Sequence, residues 1–200
     1  MQASVFTRSI VAIVLVYTWV VAPMTPRWMA SVASLLVVAV AVWRALRTGE
    51  WGLDRQAFVP ATATAALVTV AGAGIMYVAG SHVGTWHARR EAWRALTLLV
   101  PWALGQQFAL QTVLLREAQS RMSTCAAIGV ASLLFAAFHL PNPFLTAVTF
   151  VGALVWCTIY SRFPNVIPLA LSHAIATVVI LQAFDEAVTG HLLVGLAYLR

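Results

Sequence analysis

Three clusters of polar side chains interrupt apolar stretches of the sequence and could do chemistry together. The segment GQQFALQ supplies three amides, FAAFH pairs an aromatic ring with an imidazole, and LSHAIAT places an imidazole between two hydroxyls. Two imidazoles in one wet cavity can orient a water molecule, hold a metal ion or donate to an oxyanion. The candidate residues are Gln106, Gln107, Gln111, Phe135, His139, Ser172, His173 and Thr177.

Helical elements must position these groups. At about 100° per residue, Gln106, Gln107 and Gln111 fall within about 140° of one another, so one helix face carries all three. His173 and Thr177 are i,i+4 neighbours on another helix. Polar residues inside a membrane usually face the bundle interior, where the three clusters could converge. A purely structural role also stays open, because glutamines often hydrogen-bond between membrane helices.

The composition predicts an integral membrane protein of the all-α class. The chain is 62% hydrophobic and 9% charged, with a mean hydropathy of +0.88, which a soluble domain of 200 residues could not bury. Continuous apolar runs favour helices over the alternating strands of a β-barrel. We predict a polytopic helical bundle of about seven spans, at roughly 9–24, 29–46, 57–80, 93–115, 123–140, 144–162 and 164–184.

The chain reads as one domain with three parts. Residues 1–90 carry the N-terminal transmembrane helices, 91–184 form a core of helices with the polar clusters, and 185–200 form an amphipathic tail. The tail is predicted to be an interfacial helix or a partial eighth span.

Charge points to a lipid partner and away from nucleic acid. The net charge of +6 comes with 12 basic residues, all arginine, spread along the loops without a basic run. This distribution suits an anionic bilayer surface. We expect a bacterial inner (plasma) membrane. The loops on the same side of the membrane as the N-terminus carry a slight excess of arginine, which favours a cytoplasmic N-terminus.

The three clusters, in this order and spacing, resemble the CAAX-protease and bacteriocin-processing family of intramembrane peptidases (CPBP, also called Abi). That family carries EExxxR, then FxxxH about thirty residues later, then HxxxN. Here Gln106 and Gln107 stand at the two glutamates and Gln111 at the arginine, FAAFH matches fully, and Thr177 replaces the asparagine. The resemblance covers roughly residues 90–184.

The resemblance implies roles for these positions. In the family the first glutamate activates the attacking water and the first histidine assists it, while the second histidine and the asparagine stabilise the oxyanion. Carried over, Gln106 stands at the base position, His139 positions water, and His173 with Thr177 binds the oxyanion. A divalent metal such as zinc at His139 and His173 is an open alternative. The implied partner is a membrane-associated protein or peptide.

The glutamines differ from the family motif at the position of the general base. An amide cannot take a proton from water near neutral pH. Along a helix, Glu117 lies about 16 Å beyond Gln106 and Glu91 about 22 Å before it, so neither carboxylate shares its layer. A neutral histidine could serve as the base instead.

Three functions therefore stand. The first is an intramembrane peptidase, active or vestigial, with glutamine in place of the glutamate base. The second is a non-catalytic pseudoprotease that binds or presents a membrane partner. The third, a small transporter, is least favoured, because no repeat pairs the two halves and the apolar segments carry no carboxylate for a proton or sodium site.

Overall fold

The computed structural model describes residues 4–22, 29–88 and 93–200, and in these ranges it is a helical bundle without a β-strand. The predicted boundary between residues 90 and 91 lies outside the described residues. The main helices are α1 (Val5–Val16), α2 (Met29–Thr48), α3 (Arg55–His82), α4 (Leu96–Phe108), α5 (Arg116–Gln119), α6 (Thr124–Ala137), α7 (Pro143–Arg162) and α8 (Val166–Ala183).

The described helices confirm a polytopic membrane bundle. Five are long and apolar enough to cross a bilayer, and two shorter apolar helices accompany them, each overlapping a predicted span. The long ones are Ser31–Thr48, Arg55–His82, Leu96–Gln119, Pro143–Arg162 and Val166–Ala183, and the shorter ones are Val5–Val21 and Thr124–Ala137.

Helix ends follow from side-chain caps that satisfy the first free backbone N–H groups. Asp54 accepts from Gln56 N at the start of α3. Asn142 accepts from Leu145 N at the start of α7, immediately after the FAAFH segment. The capped start of α7 therefore fixes the turn that carries His139.

Helix α3 illustrates how the bundle meets lipid and protein. Ala57, Ala61 and Ala65 are buried at a spacing of four residues, which lets the backbone of α3 approach α8 closely. On the outer side, Leu67 and Val70 are each 71% exposed. Such an apolar exposed face fits lipid rather than water.

The helix that carries the glutamines changes its winding where it enters the bundle. After α4 the chain continues as a π-helix, Ala109–Leu115, before α5 begins. Every residue of this π-helix is buried. Wide turns of this kind are frequent at functional sites, and this one contains Gln111. A second π-helix, Tyr17–Val21, extends α1.

The C-terminal tail is short helical pieces folded against the bundle. It contains a four-residue helix α9 (Glu186–Thr189) and 3₁₀ turns at Gly190–Leu192 and Gly195–Ala197. Each piece is too short to cross a bilayer. Gly195 N donates to Leu140 O at 2.8 Å, so the tail lies beside the turn that carries His139.

Candidate functional site

A large, partly open chamber lies among the helices of the bundle, and its lining includes exposed residues such as Leu35 and Val151. Its volume is about 1040 Å³, and its walls come from α1, α2, α3, α4, α6, α7, α8 and the tail. Most of the lining is apolar. Six of the eight sequence-predicted residues line it, which are Gln106, Phe135, His139, Ser172, His173 and Thr177.

The other two glutamines lie behind the wall as a buried network. Gln107 and Gln111 are both fully buried. Gln111 Nε2 donates to Gln107 Oε1 at 3.0 Å, and Gln107 Nε2 lies 3.4 Å from His173 Nδ1. The two amides lie one helical turn apart, and Gln107 connects them to the second histidine.

Gln106 lines the chamber, whereas Gln107 and Gln111 do not. Its Oε1 atom is buried and has no hydrogen-bond partner among the described residues. A buried acceptor without a donor is costly. This oxygen is therefore suited to receive a hydrogen bond from whatever occupies the chamber.

His139 lies in the turn after α6 rather than within the helix. Its Nδ1 lies 2.8 Å from Phe135 O. A carbonyl oxygen can only accept, so Nδ1 carries the proton and the neutral ring keeps a lone pair on Nε2. The backbone of the FAAFH segment itself thereby orients the imidazole.

Phe135 gives the FxxxH spacing a structural meaning. Its ring contacts the His139 ring at a centroid distance of 5.1 Å and the His173 ring at 6.3 Å. One phenyl ring therefore packs between the two imidazoles and helps hold them in the same chamber.

Two tryptophans that the sequence reasoning did not single out complete the surroundings of His173. Trp156 packs against its ring at 4.5 Å and Trp102 at 5.3 Å. Trp156 Nε1 donates to Ser172 Oγ at 3.1 Å. Tryptophans in the middle of an apolar segment gave no signal that would separate them from ordinary packing residues.

A hydroxyl chain anchors this packing to α3. Ser172 Oγ lies 2.7 Å from Thr69 Oγ1, which donates its own proton to Ala65 O. The Ser172 hydroxyl must therefore be the donor to Thr69. Ser172 also accepts from Trp156, so each donor in this series of hydrogen bonds has a single acceptor. Thr69 was a further residue that the sequence pattern did not reveal.

Thr177 lines the chamber, but its hydroxyl is already used. Thr177 Oγ1 donates to the carbonyl oxygen of His173 at 3.0 Å, a bond of the i−4 kind common in helices. The hydroxyl would have to leave that carbonyl before it could donate to an oxyanion.

Carboxylates are absent from the described residues that line the chamber. Glu117 is buried, and its two oxygens accept from Ser4 and Thr7 at the start of α1. Its position beyond the π-helix leaves it outside the lining, as the helix rise predicted. Glu91 lies outside the described residues.

A metal ion requires more donors than the two histidines offer. The described residues contain no group of three His, Cys, Asp or Glu side chains that could hold one. Catalytic zinc sites use three protein ligands besides water. Of the imidazole nitrogens, His139 Nδ1 and His173 Nδ1 already face protein groups. The donor set therefore does not fit zinc.

The tail contributes part of the wall near His139. Leu192 and Val194 line the chamber. Asn142 holds this segment, because its Nδ2 donates to Thr189 O at 2.9 Å and to Leu193 O at 3.0 Å. Asn142 thus has a structural role, although it lies close to the histidine in sequence.

Comparison with family models gives a match, which covers the three polar clusters. Residues 88–179 match the family described as type II CAAX prenyl endopeptidase Rce1-like. The match spans all three clusters and confirms the resemblance to the CAAX-protease family over this part of the chain. No curated protein and no solved structure matches the chain.

Proposed function

We propose that this chain, whose residues 88–179 carry the match to an intramembrane endopeptidase family, binds a membrane-associated peptide or protein in its central chamber and does not turn it over. The observation that carries the proposal is the neutral character of the site. The amide oxygen of Gln106, buried and without a partner, stands where the family has a carboxylate.

Binding is supported by the match between the chamber and an apolar segment with a polar backbone. The volume of about 1040 Å³ and the apolar walls suit hydrophobic side chains. The unpaired Gln106 oxygen would accept from a ligand N–H group. In lipid, a peptide group that leaves its helix needs such partners, because no water replaces them.

The site lacks the general base on which peptide hydrolysis usually depends. A general base contributes roughly 10²–10⁴-fold to such reactions, and an amide cannot act as one. A bound peptide would therefore stay intact on the time scale on which a related peptidase releases products.

A second function, slow hydrolysis with His139 as the base, is favoured by one observation. The Nδ1–H of His139 is held by Phe135 O, which leaves Nε2 as the acceptor nitrogen of a ring that lines the chamber. This is the arrangement expected of an oriented imidazole base.

One experiment separates the two functions. The protein, carrying a photoreactive amino acid at Val148 in the chamber wall, is reconstituted in liposomes prepared in ¹⁸O-labelled water with a panel of synthetic single-span peptides. Val130, which is exposed and not part of the lining, carries the same label in a control variant. We expect crosslinks from Val148 only, to intact peptide without ¹⁸O.

Two results would contradict binding without turnover. Equal crosslinking from both positions would mean that the chamber is not occupied. Fragments with ¹⁸O in the new carboxylate that disappear in His139→Ala would instead establish histidine-dependent hydrolysis.

A further inference from the structure

We propose that the two imidazoles of the chamber carry their protons on opposite nitrogens, and that the buried glutamine pair Gln107–Gln111 imposes the form of His173. Both glutamines act as positioning residues. Their hydrogen bonds run in one direction along the helix and end on His173.

The direction of the network follows from what each atom can do. Gln111 Nε2 can only donate, so the atom that it contacts at 3.0 Å, Gln107 Oε1, accepts. This bond turns the oxygen of the Gln107 amide towards Gln111. The amide nitrogen of Gln107 is left facing His173 Nδ1 at 3.4 Å.

The amide nitrogen of Gln107 fixes the proton on His173. An amide nitrogen has no acceptor capacity, so His173 Nδ1 must be the unprotonated nitrogen. A neutral ring then carries its proton on Nε2. A doubly protonated ring is excluded at this contact, because it would set one N–H group against another.

His139 has the reverse arrangement, since its Nδ1–H donates to Phe135 O. The chamber therefore holds one imidazole whose Nε2 accepts and one whose Nε2 donates, and both rings line it. Together with the Gln106 oxygen, the site presents two acceptors and one donor without a formal charge. Building on the proposed peptide binding, the donor and one of the two acceptors complement one uncharged peptide group, whose C=O accepts and whose N–H donates.

The contact between residue 107 and His173 also determines how glutamine, in place of glutamate, affects the protonation of the histidine. A carboxylate at this position could only accept, so it would require a proton on His173 Nδ1. Glutamine reverses that requirement while keeping the shape of the side chain. Glutamine at this position thus makes Nε2 of His173 a donor, rather than only removing a negative charge.

The test is ¹⁵N NMR of imidazole nitrogens in the reconstituted full-length protein, labelled at histidine and without added peptide. His139→Ala and His173→Ala serve only to assign the signals of the five histidines. In the unmodified protein we expect His173 Nδ1 at the unprotonated position and its Nε2 at the protonated one, with His139 reversed.

Two variants test the role of the glutamines. Gln107→Glu is expected to shift His173 Nδ1 to the protonated position. Gln111→Met, which frees the Gln107 amide to rotate, is expected to reduce the tautomer preference of His173 at least twofold. Gln119→Met removes a glutamine that bonds Ser161 at the far end of the same helix, and should leave both rings unchanged.

The proposal is overturned if His173 Nδ1 is protonated in the unmodified protein, or if folded Gln107→Glu and Gln111→Met leave its signals unchanged. Because the spectra are recorded without peptide, failure of this proposal is distinct from failure of the proposed binding. If the tautomers are as expected but no peptide crosslinks at Val148, only the peptide complementarity is lost.

Discussion

Two polar regions on one helical stretch, Leu96–Gln119, differ in charge. In the chamber region, Gln107 and Gln111 bond each other and His173 without a formal charge. At the end of the stretch, Arg116 pairs with Glu50 at 3.2 Å, and Glu117 accepts from α1.

The difference shows that, among the described residues, charged side chains are found at the end of this helix and not in the chamber. Arg44 also pairs with Glu50, at 2.9 Å, so two arginines share one carboxylate at the end of the bundle. Charges in the middle of a bilayer are more costly than at its edge. The end of the helix therefore uses ionic contacts to join helices, while the chamber keeps only amides, imidazoles and hydroxyls.

The largest expected effect comes from returning charge to the chamber. The variant Gln106→Glu with Gln107→Glu and Gln111→Arg restores a candidate base together with its counter-charge. We expect peptide cleavage to rise roughly 10²–10⁴-fold over the unmodified protein, the range that a general base supplies. The measurement is product formation in liposomes.

The matched control for this variant is Gln119→Glu, which adds a carboxylate at the charged end instead. It should produce no cleavage. A folded triple variant that still binds peptide but does not cleave it would show that the missing charges are not what prevents hydrolysis.

The next effect is on stability and concerns the charged end. Glu117→Gln removes the charge and one of the two acceptor oxygens that Ser4 and Thr7 use. We expect the free energy of unfolding in micelles to fall by about 1.5–3 kcal/mol, the value of hydrogen bonds to a charged group. Crosslinking of peptide at Val148 should not change.

Glu186→Gln provides the comparison, because the Glu186 side chain is 65% exposed and pairs with His191 at 3.1 Å. Its effect should stay within about 0.5 kcal/mol. Equal losses in the two variants would contradict a special role for the buried carboxylate of Glu117.

A smaller effect is expected from the tail. Leu192→Trp places a larger side chain in the wall of the chamber and should compete with the ligand for space. We expect about a tenfold loss of peptide affinity, equivalent to about 1.4 kcal/mol. Leu199→Trp, at a residue that is 60% exposed, is the control and should bind normally. Unaltered binding in Leu192→Trp would mean that the ligand does not reach this wall.

The smallest effect isolates the bond between α3 and α8. Thr69→Val removes the acceptor for Ser172 and should cost about 0.5–1.5 kcal/mol more than Thr62→Val. Both threonines also donate to their own helix, so the difference reports the interhelical bond alone. A difference near zero would show that the bond between Ser172 and Thr69 does not contribute to the stability of the bundle.

Much of the bundle was predictable because membrane helices satisfy their own backbone and reveal themselves by long apolar runs. The span predicted at 144–162 differs from the helix Pro143–Arg162 by one residue at its start and coincides with it at its end. The first helix begins earlier than predicted, at Val5, because Ser4 caps it and Glu117 binds Ser4 and Thr7. A contact with a residue so distant in sequence leaves no local pattern.

The candidate site was predictable in its members but not in its connections. Spacing placed His139 and His173 on separate segments, and both line the chamber. The π-helix that contains Gln111 could not be anticipated, because an ideal 3.6-residue period was assumed throughout. Likewise, packing of Trp156 on His173 depends on how α7 meets α8, which no local sequence feature specifies.

The most direct test of the central claim, that the glutamine segment and the second histidine meet in one site, is thiol crosslinking of Gln107→Cys with His173→Cys. The background would be Cys125→Ser and Cys157→Ala in native membranes, with a short bifunctional reagent. We predict an efficient intramolecular crosslink for this pair and none for Gln119→Cys with His173→Cys. Crosslinking of the second pair alone, or of neither pair in folded protein, would contradict the structure of the site.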